Sequence, residues 1–189
     1  WRNFEGAYWQ EGDNGEVDRL AKLTVRDIYR EGANEPDSAQ RKAIINHARA
    51  SEGLARIHAM ITLAQSESIV AVRPSQLDAD PWTFNCKNGT LDLKTGGLRA
   101  HRREDLITKL APVPYDPGAV CPLWLKFLDR VMGGDADLIA YLQRIAGYGL
   151  TGDVSEHCFY FCYGTGRNGK GTFLNTLLAI SGDYGKQIA

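Results

Sequence analysis

The sequence has no run of apolar residues near the roughly 20 needed to span a bilayer, and no charged-then-apolar leader. A soluble, cytoplasmic protein without a membrane partner is therefore expected. Charge of either sign is not in surplus: 22 Lys and Arg against 23 Asp and Glu give a net charge of −1. That balance supplies no bulk electrostatic argument about nucleic acid in either direction. Cysteine is sparse, and Cys86, Cys121, Cys158 and Cys162 include no C-x-x-C pair. On a strand, Cys158 and Cys162 would stand about 13 Å apart, too far for a disulfide or a shared metal, so buried structural thiols are expected. The four histidines are scattered without metal-ligand spacing. Internal repeats and low-complexity segments are missing too. What is present, 43% hydrophobic residues in 189, suffices for one domain or two small ones. The chain begins at Trp1 rather than at a methionine and reads as a piece of a longer protein.

One stretch organises the rest, His157 to Ser181. His157–Tyr163 (HCFYFCY) is continuously apolar or aromatic, the pattern of a central strand in a parallel sheet. Gly164, Gly166 and Gly169 then let the backbone turn with its N–H groups inward. Phe173, Leu174, Leu177 and Leu178 recur at helical spacing, with Gly182 at the C-cap position. Strand, glycine loop and helix N-terminus with Lys170 beside it make a polyphosphate cradle. Gly164–Lys170 fits G-x-x-x-x-G-K, the Walker A pattern, but Gly171 follows the lysine and the hydroxyl arrives one residue late, at Thr172. Thr172 therefore reaches a Mg²⁺ ion directly, reaches it through water, or leaves it to an acid elsewhere.

Ahead of this lie other elements. Residues 1–15 are aromatic, predict a short strand or hairpin edge, and close on a Gly-Asp-Asn-Gly turn. Val17, Leu20, Ala21, Thr24 and Ile28 predict a helix over Glu16–Arg30, ended near Gly32. A second helix follows the 34–38 loop to about Ala50. A third starts at a Ser51 cap with Leu54, Ile57, Ile61 and Ala64 as its stripe. Arg41, Lys42, Arg49 and Arg56 read as solvated faces. Ile69–Val72 is a short β-prone run, and Trp82–His101 reads as a β-meander turning at Asn88-Gly89 and Gly96-Gly97. Arg99, His101, Arg102 and Arg103 form the densest basic patch, with Glu104 and Asp105 next to it. Four prolines between Ala111 and Pro122 mark a linker or extended boundary. Two helices, Leu123–Met132 and Asp135–Tyr148, follow it, with Gly147, Gly149 and Gly152 ending the second. The expected class is α+β: a mainly helical part with small antiparallel β pieces, then an incomplete α/β unit.

FNCKNGTLDLKTGGLRAH at 84–101, YDP at Tyr115–Pro117, YLQRIAGYGLTGD at Tyr141–Asp153 and GTGRNGKGTF at Gly164–Phe173 occur in an order that resembles the phage and plasmid primase-helicases. The helicase part of that family is a superfamily 3 ATPase related to the poxvirus primase-helicase. The resemblance implies an accessory domain over 1–112 and, over 113–189, the N-terminal part of the ATPase, cut after the P-loop helix. It implies ATP and Mg²⁺ as cofactors, DNA as the substrate of a full-length, usually hexameric homo-oligomer, and a primase domain as a further partner. Lys170 would contact the β- and γ-phosphates as the catalytic lysine. Gly164, Thr165, Gly166, Arg167, Asn168, Gly169, Gly171 and Thr172 would complete the nucleotide loop, with Asn168 fixing its conformation and Thr172 nearest the metal. A Walker B acid and an arginine finger, both required for phosphoryl transfer, have no assignment here, so the piece alone is expected to be inactive. Two rivals stand beside this: a small-molecule P-loop kinase, which also uses the spelling GKGT, and a non-catalytic oligomerisation or interaction module of a replication protein.

Overall fold

The computed structural model describes residues 1–12 and 15–188. Among them are six α-helices and two small antiparallel β arrangements, an α+β fold. Asp13 and Asn14 of the expected Gly-Asp-Asn-Gly turn lie outside the described residues. The chain divides into two compact units, one of Trp1–Asn3 with Gln10–Gln76 and one of Phe4–Trp9 with Leu77–Ala189. Strands β1 (Arg2–Phe4) and β2 (Trp9–Glu11) pair as a two-stranded sheet.

The first unit is a three-helix assembly. Helix α1 (Gly15–Asn34) buries Ala21, Val25 and Gly32, so its inner stripe is rotated from the expected one and Leu20 is exposed. Gly32 does not end the helix. A Cβ there would lie 2.8 Å from Ile45 Cδ1, so the glycine sets how closely α2 (Ser38–Ser51) approaches. Asp37 caps α2, its carboxylate accepting from the Gln40 N–H at 2.8 Å. Arg41 is exposed, as expected, and its guanidinium also donates to the carbonyls of Glu35 and Pro36, which fastens the connecting loop. Helix α3 (Leu54–Ala64) starts from Gly53 rather than Ser51. The Ser51 hydroxyl instead donates back to His47 O, inside the last turn of α2. Ile69–Val72 forms no strand, because no neighbouring chain segment offers it a ladder.

In the second unit, β3 (Thr83–Cys86), β4 (Gly89–Asp92) and β5 (Leu98–Arg99) form the expected meander. Its register pairs Cys86 with Gly89, so the tight turn is Lys87-Asn88 and Gly89 opens β4. Phe84, Cys86, Leu91 and Ala111 make the core. Ala111 belongs to the proline-rich stretch, which is extended but is not a free linker at this end. Ala111 N–H donates to Asn85 O, Lys87 N–H donates to Val113 O, and the Asn88 side chain exchanges two 2.8 Å bonds with the backbone of Tyr115. Prolines suit this because they leave few backbone donors to satisfy on the outer side.

Asn85 is the fully buried centre of the unit. Its side-chain amide donates to Ala7 O at 3.0 Å and Lys109 O at 3.1 Å. Its Oδ1 accepts from the Thr90 hydroxyl at 3.0 Å and lies 2.9 Å from His101 Nδ1. Since the amide donors are committed, His101 Nδ1 must carry the proton, leaving its buried Nε2 without a partner among the described residues. The basic patch is likewise taken up structurally: Arg99 pairs with Asp105 at 2.6 Å and Arg103 lies over the Trp9 ring.

Helices α4 (Pro122–Val131), α5 (Ala136–Leu150) and α6 (Lys170–Ser181) complete the unit. Asp135 caps α5, and Gly147 and Gly149 lie inside that helix rather than ending it. Past α6, Tyr184 inserts beside Phe84, with ring centroids 4.6 Å apart, and its hydroxyl accepts the Asn85 N–H at 3.0 Å. Burial pushes the Tyr184 phenol up to about 12, from about 10 in an unfolded chain. The neutral phenol is the folded form, so its contribution is complete below pH 10 and is lost as pH rises through 12. Urea titrations should therefore show stability falling between about pH 10 and 12, less steeply in Tyr184→Phe. The same variant should lose about 1 kcal/mol at neutral pH; parallel pH profiles for the two proteins would refute this.

Candidate functional site

The glycine loop rests on α4. At Gly169, φ is +86°, and a Cβ would fall 2.7 Å from Val131 Cγ1 and 3.1 Å from Phe127 Cε2. No other residue type permits both the turn and this approach. Helix α6 is held on the same surface by Phe173, whose buried ring stacks on Trp124 at 5.8 Å with a 12° interplanar angle. Trp124 in turn stacks on Phe127.

The first bond of α6 runs from Phe173 N–H to Gly169 O at 2.9 Å. The N–H groups of Lys170, Gly171 and Thr172 thus belong to the first turn, which has no intrahelical acceptors and carries the positive end of the helix dipole. Lys170 Nζ donates to Asn168 Oδ1 at 2.8 Å and to Gly164 O at 3.2 Å, bridging the two ends of the loop. The Asn168 amide occupies the place a Cβ at Gly164 would need. Gly166 adopts φ +97° and Arg167 φ +50°, so two successive residues of the loop lie in the left-handed region. Gly171 has open space where its Cβ would be.

Lys170, Asn168, Gly164 and Gly169 are therefore brought together. Thr165, Gly166, Arg167, Gly171 and Thr172 are exposed around them, and Thr172 is engaged through its carbonyl, which accepts from the Thr176 hydroxyl. Among the described residues no group of three His, Cys, Asp or Glu side chains gathers to hold a metal. Lys170 has no ion pair among the described residues, and its two acceptors here are replaceable by phosphate oxygens without breaking a salt bridge. Anion binding by amides and one ammonium is the chemistry this arrangement can perform.

The segment before the loop departs from expectation. Residues 157–163 form no strand, and Phe159 and Phe161 are 87% and 79% exposed. An apolar run specifies burial, yet a strand exists only when neighbours accept its ladder bonds. The thiols depart as well: Cys86 is buried, which pushes its pKa up, while Cys121, Cys158 and Cys162 are exposed. The Asn85–Thr90–His101 cluster escapes sequence reasoning, because a polar residue inside an alternating strand carries no sign that it faces inward.

No curated protein matches the chain. The family described as D5 N terminal like matches residues 1–133, from β1 through α4 and short of the glycine loop. With well over half of its 189 residues matched, the chain belongs to the D5 N terminal like family, the N-terminal domain of primase-helicase replication proteins.

Proposed function

We propose that this chain joins the accessory domain of a phage or plasmid primase-helicase, residues 1–112, to the opening of its superfamily 3 ATPase, residues 113–189, and that Gly164–Thr172 binds ATP with Mg²⁺. The observation that carries the nucleotide reading is Lys170 Nζ bridging Gly164 O and Asn168 Oδ1 at the start of α6. A triphosphate takes over the ammonium from these two acceptors, while the amides of the first turn face its oxygens. ATP–Mg²⁺ would suit a loop whose Gly164 and Gly169 have no room for side chains, and Thr172 would offer its hydroxyl to the ion. Bound ATP supplies an activated phosphoryl group, and the residues here position it.

Exposed Phe159, Phe161 and Tyr163 support a further part of the proposal. On a strand they share one face, and burial of that face against further sheet strands converts 157–163 into the strand that feeds the loop. The acid and the arginine finger that a complete motor requires have no assignment in these residues, so the chain alone binds nucleotide without turning it over. DNA engagement and hexamer formation belong to the full-length ring, in company with a primase domain.

The test is ATP hydrolysis by the parent protein extending past Ala189, with and without single-stranded DNA, beside Lys170→Ala. DNA-stimulated hydrolysis reduced at least about 100-fold in the variant is expected, since the lysine stabilises charge that develops in the transition state. Hydrolysis untouched by the variant would make the loop structural. Phosphorylation of a small molecule in place of DNA stimulation would point to a kinase.

A further inference from the structure

Helix α3 carries two apolar faces. Ile57, which is buried, and the half-buried Ile61 mark the one turned into the three-helix unit. About a quarter-turn away, at about 100° per residue, Ala59, Met60, Leu63 and Ala64 line a shallow groove bounded by Arg56 and Glu67. Leu63 is 67% exposed there. A helix on the surface of a monomer needs one apolar stripe, and a second one calls for a cover.

The residues that line the groove are spaced symmetrically in the sequence, with Glu67 just past the end of α3. Arg56 and Glu67, Ala59 and Ala64, and Met60 and Leu63 are each equidistant in sequence from a point between Ile61 and Thr62. An antiparallel copy of the helix, related by a two-fold axis through that point, sets Met60 against Leu63 of the second copy. It sets Ala59 against Ala64, small residues that permit close approach of the two axes. At both rims it brings an Arg56 guanidinium to a Glu67 carboxylate. Neither side chain has an ion pair among the described residues, so both charges are available. A surface complementary to itself under a two-fold rotation is what an isologous interface requires.

We propose that α3 is the contact of a two-fold symmetric dimer of this chain, with a second copy as the occupant of the Met60–Leu63 groove. This does not rest on the nucleotide reading, and Lys170→Ala should dimerise like the wild type.

Sedimentation equilibrium of the full chain without nucleotide tests it. A concentration-dependent dimer is expected, and Leu63→Glu should raise its dissociation constant at least about tenfold, because symmetry places the buried charge in the interface twice. Arg56→Glu and Glu67→Arg should each weaken the dimer by setting like charges together. The double variant Arg56→Glu/Glu67→Arg exchanges the partners and should restore it. All three substitutions lie on exposed positions, so thermal unfolding of each variant should stay within about 2 °C of wild type. A chain that is monomeric at every concentration, including one that captures only a different protein, overturns the proposal. So does an assembly that Leu63→Glu leaves intact, or a double variant as weak as the single ones.

Discussion

Asn85→Ala is expected to destabilise the second unit by at least about 4 kcal/mol, enough to unfold a marginal domain. The side chain is fully buried and satisfies four groups at once: the carbonyls of Ala7 and Lys109, the Thr90 hydroxyl and the His101 imidazole. Each group left buried and unpaired costs about 1–3 kcal/mol. Asn85→Asp separates volume from hydrogen bonding, because a carboxylate of the same shape cannot donate to the two carbonyls. It should approach the alanine variant in urea denaturation and not the wild type. If either variant stayed within about 1 kcal/mol of wild type, the cluster would not hold the unit together. Ala7 lies on the segment between β1 and β2, which Trp9 also fastens through its N–H to Ile107 O and its Nε1–H to Arg103 O. Proteolysis near residues 5–8 should therefore accelerate in the alanine variant.

Gly182→Ala is expected to cost at least about 3 kcal/mol and to release α6 from the meander. Gly182 has φ +54° and ψ −123°, a conformation that side chains avoid, and a Cβ there would lie 2.7 Å from Leu110 O and closer still to Pro112 Cδ. Both neighbours are backbone or ring atoms that cannot swing aside. The residues after it form the anchor: Asp183 accepts the Leu110 N–H at 3.0 Å and Tyr184 enters the core. Gly96→Ala is the control. Its φ is +73°, but nothing lies within 4 Å of the added methyl, so it should cost only about 1 kcal/mol from backbone conformation. Equal losses in the two variants would show that strain, and not the closeness of Pro112, is what Gly182 relieves. Since α6 begins at Lys170, Gly182→Ala should also loosen the glycine loop, measurable as faster amide exchange over 164–172.

Local signals in the chain found most elements. Spacing of 3.6 residues located α2, α4 and α5 to within a residue or two and the body of α6, and alternation with turn glycines located the meander. The loop was legible for the same reason: glycines that need positive φ, a lysine and a helix start are adjacent in sequence. Each of these depends on neighbours within about four residues.

What the sequence determined by itself, then, is which segments are helical and that a glycine loop precedes Lys170 at the start of α6. The tertiary structure decided everything that depends on a distant partner. It turned Ala111–Tyr115 from a proline-rich boundary into a segment bonded along β3. It drew Asn85 inward and chose Lys87-Asn88 over Asn88-Gly89 as the turn, since register is set by what the opposite strand offers. It left His157–Tyr163 without a ladder, although its apolar pattern asks for burial, because hydrogen-bonded pairing is a property of two segments and hydrophobicity is a property of one.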